Sequence, residues 1–189
     1  MIILLIGDFH IPDREPDVPT EIWQEIQKFK FDLILCTGDL TDQKVFNKLE
    51  SLAPVKNIRG NMDYYYGVRD FPDSLIINLK NCKIGLNHGS GVHPRGDPEQ
   101  LSRIAHEMQA DILVSGHTHA QSVILHNKIL LLNPGSATGC WGGGPATGLP
   151  SFQILEELKD EIKITSIYLK NKKFVQQIEY FDVKNRVIK

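Results

Sequence analysis

Five short apolar runs in this chain each end at a glycine and a metal-competent side chain. Residues 2–6 run into Gly7-Asp8-Phe9-His10, residues 32–37 into Gly38-Asp39, and residues 54–59 into Gly60-Asn61. Residues 83–87 end at His88-Gly89, and residues 111–115 at Gly116-His117-Thr118-His119. Runs this short and β-branched read as buried strands. Residues two apart in an extended segment point the same way, so one cation can touch Asp8 and His10 together. Between the first three runs the pattern turns helical. Residues 21–29 place Ile22, Trp23, Ile26 and Phe29 on one face behind a Thr20 cap, and a second helix runs from a Thr41 cap to about residue 52. A β-α-β-α-β series is the signature of a parallel sheet with helices packed on it. In such sheets the functional crevice lies beyond the carboxyl ends of the strands. Asp8, His10, Asp39 and Asn61 all fall on that edge.

Further on, residues 64–72 read as a loop carrying Tyr64-Tyr65-Tyr66, and residues 74–79 and 83–87 as a hairpin. Asp97 caps a helix that has Pro98 at its first position and runs to about residue 109. Short strands follow at 122–126, 129–132, 151–155, 162–169 and 174–180, separated by polar turns. They are expected to pair antiparallel into a second sheet packed on the first. No repeat or linker divides the 189 residues, so one domain, 1–189, is expected. The glycine-rich segment 139–148 lacks the Lys-Ser/Thr ending of a phosphate-cradling loop, and reads as a flexible loop with Trp141 packed.

Composition narrows the function classes. A formal net charge of -2 offers no bulk attraction for nucleic acid. Cys36, Cys82 and Cys140 are scattered without Cys-x-x-Cys spacing, which argues against a disulfide framework or a cysteine zinc site and for a reducing compartment. The first apolar run is too short for a signal peptide, and no run approaches the roughly 20 residues of a membrane span. A cytoplasmic protein with no direct membrane insertion is expected.

The loop ends supply Asp8, His10, Asp39, Asn61, His88, His117 and His119, which is three oxygen donors and four imidazoles. That mixture suits Mn, Zn or Fe and fits Ca²⁺ poorly. Seven side chains are too many for one small ion, and a bridging carboxylate turns them into eight contacts, the arithmetic of two divalent metal ions. Two ions roughly 3.5–4 Å apart are the usual apparatus of phosphoester hydrolysis. His93, His106 and His126 stand outside the pattern.

The ordered motifs resemble the calcineurin-like metallophosphoesterases from residue 1 to about 155. The resemblance implies an α/β fold, a four-layer α-β-β-α sandwich of two mixed sheets. It also implies that Asp8, His10 and His119 hold one metal, that Asn61, His88 and His117 hold the other, and that Asp39 bridges them. Asp39, Asn61 and His88 are the expected catalytic residues, serving in-line attack on the phosphorus of a phosphoester substrate. Within the family, residues 7–12, 35–38, 111–119, 133–139 and 150–152 are similar to the phosphoesterase-fold subunits of retromer, and to small archaeal and bacterial phosphodiesterases. The retromer subunits are chiefly protein-transport scaffolds clasped by a helical-solenoid partner, with degraded metal sites. Here Asp39 and Asn61 keep the catalytic types.

Two departures from the family bear on catalysis. Met62 stands where many active members have a histidine, and His88-Gly89-Ser90 replaces His-Gly-His. Both remove leaving-group protonation, typically worth 10²–10⁴-fold, and leave Asp63 and His93 as possible substitutes. The expectation is a weak metal-dependent phosphodiesterase that favours activated aryl esters. The alternatives are a non-catalytic scaffold of a retromer-like complex and a phosphate-binding sensor. Ile154 and Tyr168 fall where the retromer subunit carries a partner-binding apolar patch, although ordinary core alternation accounts for both.

Overall fold

The computed structural model describes residues 1–66 and 70–189. The first half comprises β1 (Ile2–Ile6), α1 (Thr20–Ile26), β2 (Leu33–Cys36), α2 (Gln43–Glu50), β3 (Val55–Asn57), α3 (Asp63–Tyr66), β4 (Ser74–Asn78) and β5 (Lys83–Asn87). Then come α4 (Pro98–Glu107), β6 (Ile112–Val114), β7 (Ser122–His126), β8 (Ile129–Asn133), β9 (Ser151–Glu157), β10 (Glu161–Lys170), β11 (Lys173–Asp182) and β12 (Val187–Ile188). Among these residues the strands form two mixed sheets, ordered β12-β11-β10-β9-β1-β2-β3 and β4-β5-β6-β8-β7.

Side-chain alternation along single strands builds the layers. Ile3 and Leu5 of β1 face the space between the sheets, where they join Leu35, Ile84, Leu86, Ile112, Val114, Leu130, Leu132, Ile164 and Phe181. Leu4 and Ile6 face the other way, onto Ile22, Trp23 and Ile26 of α1 and Val45, Phe46 and Leu49 of α2. In the far sheet Leu113 and Leu131 turn outward onto Leu101 and Ala105 of α4. The order is helix, sheet, sheet, helix, as expected. Each fully buried Leu or Ile contributes roughly 1.5–3 kcal/mol by leaving water.

The back half departs from expectation, because its strands do not make a second sheet of their own. β7 and β8 extend the β4-β5-β6 sheet, whereas β9 returns to pair antiparallel with β1, with Leu4 opposite Ile154. The physical reason is the free edge of β1. A strand buried on both faces needs hydrogen-bonding partners on both sides, and β2 supplies only one. β9 supplies the other.

Helix starts also differ. Thr20 is the first residue of α1, behind Pro19. The cap of α2 is Asp42, whose carboxylate accepts the Lys44 N–H at 2.7 Å. Thr41 has a left-handed φ of 58° and donates its hydroxyl to the Ile11 carbonyl at 2.8 Å, so it is not available to cap. Asp97 and Pro98 open α4 as read, with the Asp97 carboxylate accepting the Gln100 N–H. The tyrosine run forms α3 rather than loop, with Tyr64 exposed; the side chains of Tyr65 and Tyr66 and residues 67–69 lie outside the described residues. Ile154 is buried in the core, in agreement with ordinary alternation, and Tyr168 is half-buried. Trp141 is 73% exposed, so it is not the packed residue expected. Among the described residues no helix is long and apolar enough to cross a membrane.

Candidate metal centre

The carboxyl ends of β1, β2 and β3 in one sheet and of β5 and β6 in the other meet at one edge of the sandwich. Backbone hydrogen bonds tie the loops together there. Asp8 N–H donates to the Gly38 carbonyl at 3.0 Å, and Phe9 and His10 N–H both donate to the Asp39 carbonyl at 2.9 and 3.0 Å. Gly116 N–H donates to the His88 carbonyl. The His117 N–H reaches across to the Asp8 carboxylate at 3.1–3.2 Å and links the two sheets.

The crowding explains the glycines. A Cβ at Gly60 would stand 2.1 Å from Asp39 Oδ1, and one at Gly116 would stand 2.7 Å from Asp8 Oδ2. Five of the seven expected ligands, Asp8, His10, Asp39, His117 and His119, adopt φ between 49° and 68°. Left-handed backbone at non-glycine residues costs of order 1–3 kcal/mol each and collects at functional sites.

All seven side chains converge. His88 Nδ1 lies 2.7 Å from the Thr37 carbonyl, which can only accept, so that nitrogen carries a proton and Nε2 faces the site. There Nε2 meets Asn61 Oδ1 at 3.1 Å and Asp39 Oδ2 at 3.3 Å, both acceptors. His119 repeats the design. Its Nδ1 faces the Cys140 carbonyl at 2.9 Å, which turns Nε2 toward His10 Nε2 at 3.1 Å and Asp8 Oδ1 at 3.5 Å. His10 Nε2 also stands 3.3 Å from Asp39 Oδ2. His117 sets its ring edge-on to His88, with centroids 5.2 Å apart. Lone pairs pointed at lone pairs repel unless a proton or metal cation sits between them. Histidines whose outer nitrogen is pinned by a carbonyl are the usual form of metal ligands.

The ionisation pattern agrees with this arrangement. Burial pushes His10 down to about 3, and burial, aided by the positive charges of His88 and Arg95, pushes His117 down to about 4. Both are neutral and ready to ligate at pH 7. Burial also opposes charge on His88, yet the Asp39 carboxylate outweighs it and lifts His88 to about 9. Burial raises Asp8, whereas Asp39 is held low because His88, His10 and the Met62 N–H together outweigh its burial. Without metal, His88 holds its proton at neutral pH.

Ligand atoms fall into two close groups, His10–His119–Cys140 and Asp8–Asp39–His88, each within 4.8 Å. The sulfur of Cys140, 3.5 Å from His119 Nδ1, was not expected. A lone cysteine 21 residues beyond His119 gives no sequence signal. The role of Asp63 was also missed. Its buried carboxylate accepts N–H bonds from Asp39 and Gly60 at 2.8 Å and Thr41 at 3.1 Å, so it clamps two ligand loops and is not placed as a proton donor. Ser136 and Thr138 hydroxyls perform the corresponding task for the first loop, donating to the Asp8 and Phe9 carbonyls at 2.7 and 3.0 Å. The Asn133 amide holds the Gly116 carbonyl. His93 is exposed and faces Gln100 through its backbone. His106 is exposed on α4, and His126 pairs with Glu99 at 3.0 Å.

Comparison with known proteins agrees with the geometry. The family model for the calcineurin-like phosphoesterase superfamily domain matches residues 1–158. A probable metallophosphoesterase of Methanothermobacter thermautotrophicus is 42% identical over 138 residues, which is 73% of this chain and 78% of that protein. Wild-type Vps29 of Entamoeba histolytica, solved in complex with Zn²⁺, is 32% identical and superposes with a TM-score of 0.86 over 94% of this chain and 98% of its own. Vacuolar Protein Sorting 29 of Cryptosporidium parvum is 30% identical, with a TM-score of 0.88 over 96% and 97%.

Proposed function

The chain belongs to the calcineurin-like phosphoesterase superfamily, and on that footing we propose that it is a metal-dependent phosphodiesterase of modest power. Asp8, His10 and His119 would hold one divalent cation, Asn61, His88 and His117 would hold the second, and Asp39 would serve both. The observation that carries this reading is the position of Asp39 Oδ2, 3.3 Å from the Nε2 atoms of both His10 and His88. One oxygen midway between two imidazoles is what a bridging ligand requires. When bound, two Mn, Zn or Fe ions lower the pKa of a water and neutralise phosphoryl oxygens.

The chain's own residues then decide what can be cleaved. The Thr37 and Cys140 carbonyls keep the Nε2 atoms of His88 and His119 aimed inward. Met62 offers only its backbone N–H, to Asp39 Oδ1 at 2.7 Å. With Asp63 occupied by three backbone donors and His93 exposed, neither is placed to protonate an alkoxide. Aryl phosphodiesters, which leave without protonation, are the preferred substrates. Mn²⁺-loaded protein is expected to hydrolyse bis-p-nitrophenyl phosphate above an Asp39→Ala control, and equality with that control would sink the catalytic reading.

A second reading, a non-catalytic scaffold gripped by a helical-solenoid partner, draws support from the end-to-end likeness to Vps29 chains. The exposed Ile178 and Trp141 also favour it. In either reading we take residues 1–189 as one cytoplasmic domain.

A further inference from the structure

Two arginines at the rim of the metal centre have no carboxylate partner among the described residues. Arg14 Nη1 donates to the Trp141 carbonyl at 2.9 Å. Arg95 Nη1 donates to the Gly143 carbonyl at 2.7 Å and also to the Gly142 carbonyl. Three consecutive backbone carbonyls of the glycine-rich segment are thus engaged by two exposed guanidiniums. Both arginines sit beside the ligands. Arg14 is four residues beyond His10 and donates its backbone N–H to the His10 carbonyl at 2.9 Å. Arg95 precedes Gly96, where a Cβ would stand 2.9 Å from the methyl of Thr118, the residue between His117 and His119. The segment itself lies on the ligands, because a Cβ at Gly142 would come within 2.4 Å of the His119 ring.

Carbonyl oxygens are weak partners for a guanidinium. A phosphate presents charged oxygens in a geometry that matches the planar fork, and charge-assisted bonds are roughly twice as strong as neutral ones. The backbone is suited to letting go, since Gly143, Gly144 and Gly148 all have positive φ and a Cβ at Gly148 would meet nothing within 4 Å. We propose that Arg14 and Arg95 bind the phosphate of an anionic ligand at the mouth of the metal centre, and that the strap Trp141–Gly143 is an internal competitor which releases them when the anion arrives. Trp141, exposed on the strap, travels with it. The inference rests on the phosphodiesterase reading only for which phosphate compounds arrive.

The test is a titration of zinc-loaded protein with inorganic phosphate. Calorimetry gives the Kd, and the nuclear magnetic resonance signals of the Trp141 indole and the Gly142–Gly144 amides report the strap. Strap signals are expected to shift saturably with the calorimetric Kd, and Arg95→Ala is expected to weaken phosphate by about ten- to a hundredfold with zinc content unchanged. Arg95→Lys should recover only part, because it restores charge without the fork. Gly142→Ala, which pushes the strap off His119, should tighten phosphate binding. Arginine variants that bind phosphate like the parent, or strap signals that stay fixed at saturation, would overturn the inference. The two readings fail separately. Hydrolysis of bis-p-nitrophenyl phosphate with a KM unmoved in Arg14→Ala and Arg95→Ala leaves the enzyme and removes the strap, whereas arginine-dependent phosphate binding without any hydrolysis does the reverse.

Discussion

The two halves of the candidate metal centre use the same pieces and hold them differently. Around His119 and His10 the imidazoles are stacked, with centroids 4.9 Å apart, and His10 Nδ1 has no hydrogen-bond partner. A thiol lies within reach, and neutral hydroxyls tie the loop. Around His88 the imidazole carries a proton, Asp39 and Asn61 supply oxygens, and the Asp63 carboxylate ties the loops. Against the opposing effect of burial, the Cys140 hydrogen bonds and the Asp8 carboxylate hold His119 above its ordinary value, so protons compete with a cation in the first half too. The second must release the proton that Asp39 holds on His88 up to about 9, so its occupancy depends on pH up to that value.

Removing the shared oxygen should have the largest effect. Asp39→Ala is expected to abolish turnover and to lower bound Mn²⁺ from two equivalents by metal analysis, with both halves affected. Loss confined to one equivalent, with the other bound as tightly as before, would show that the halves are independent.

The pH dependence comes next. His88 is raised above its ordinary 6.5 to about 9, so it is protonated below that value and its proton competes with metal. Apparent Mn²⁺ affinity at the second half should rise about tenfold per pH unit between 6 and 9, then level off. His10 and His117, held at about 3 and about 4, add no slope in that range. Calorimetry in buffers of different protonation enthalpy counts the released proton, and a flat profile would break the distinction between the halves.

The clamps should differ in strength. Asp63→Ala strands three buried N–H donors and is expected to cost about 3 kcal/mol in chemical denaturation, whereas Ser136→Ala, which leaves one carbonyl short of a donor, should cost about 1 kcal/mol. The smallest effect is expected at Cys140. Cys140→Ala should lower Zn²⁺ affinity by about tenfold or less and leave Mn²⁺ nearly unchanged, because a soft sulfur favours the softer ion; competition between the two ions measures it.

Much of the centre was legible because its ligands sit where strands end, and strand ends are visible as apolar runs meeting glycine. All seven side chains read from that pattern do converge. Alternation of side chains also identified which residues are buried, but not which sheet takes each strand. Nothing in residues 151–157 says that their neighbour is β1 rather than β8. Caps were misread where another bond competed, as when Thr41 turned to the Ile11 carbonyl and left Asp42 to cap α2. Asp63 was visible as an acid two residues after Asn61, yet its task depends on three N–H groups brought together only by the fold. The Arg14 and Arg95 contacts are longer-range still, reaching 127 and 48 residues along the chain.

The glycines at the strand ends separate two kinds of inheritance. Gly60 and Gly116 answer to steric crowding, which persists as long as the two sheets meet at this edge, whether or not a cation is ever held there. Asp39 and His88 answer instead to charge, with Asp39 Oδ2 and His88 Nε2 turned toward each other at 3.3 Å. A lineage that kept the shape as a docking platform and gave up hydrolysis would be free to lose its acids and imidazoles while retaining every glycine. In this chain both sets are present together, the glycines that crowding demands and the side chains that could hold an ion.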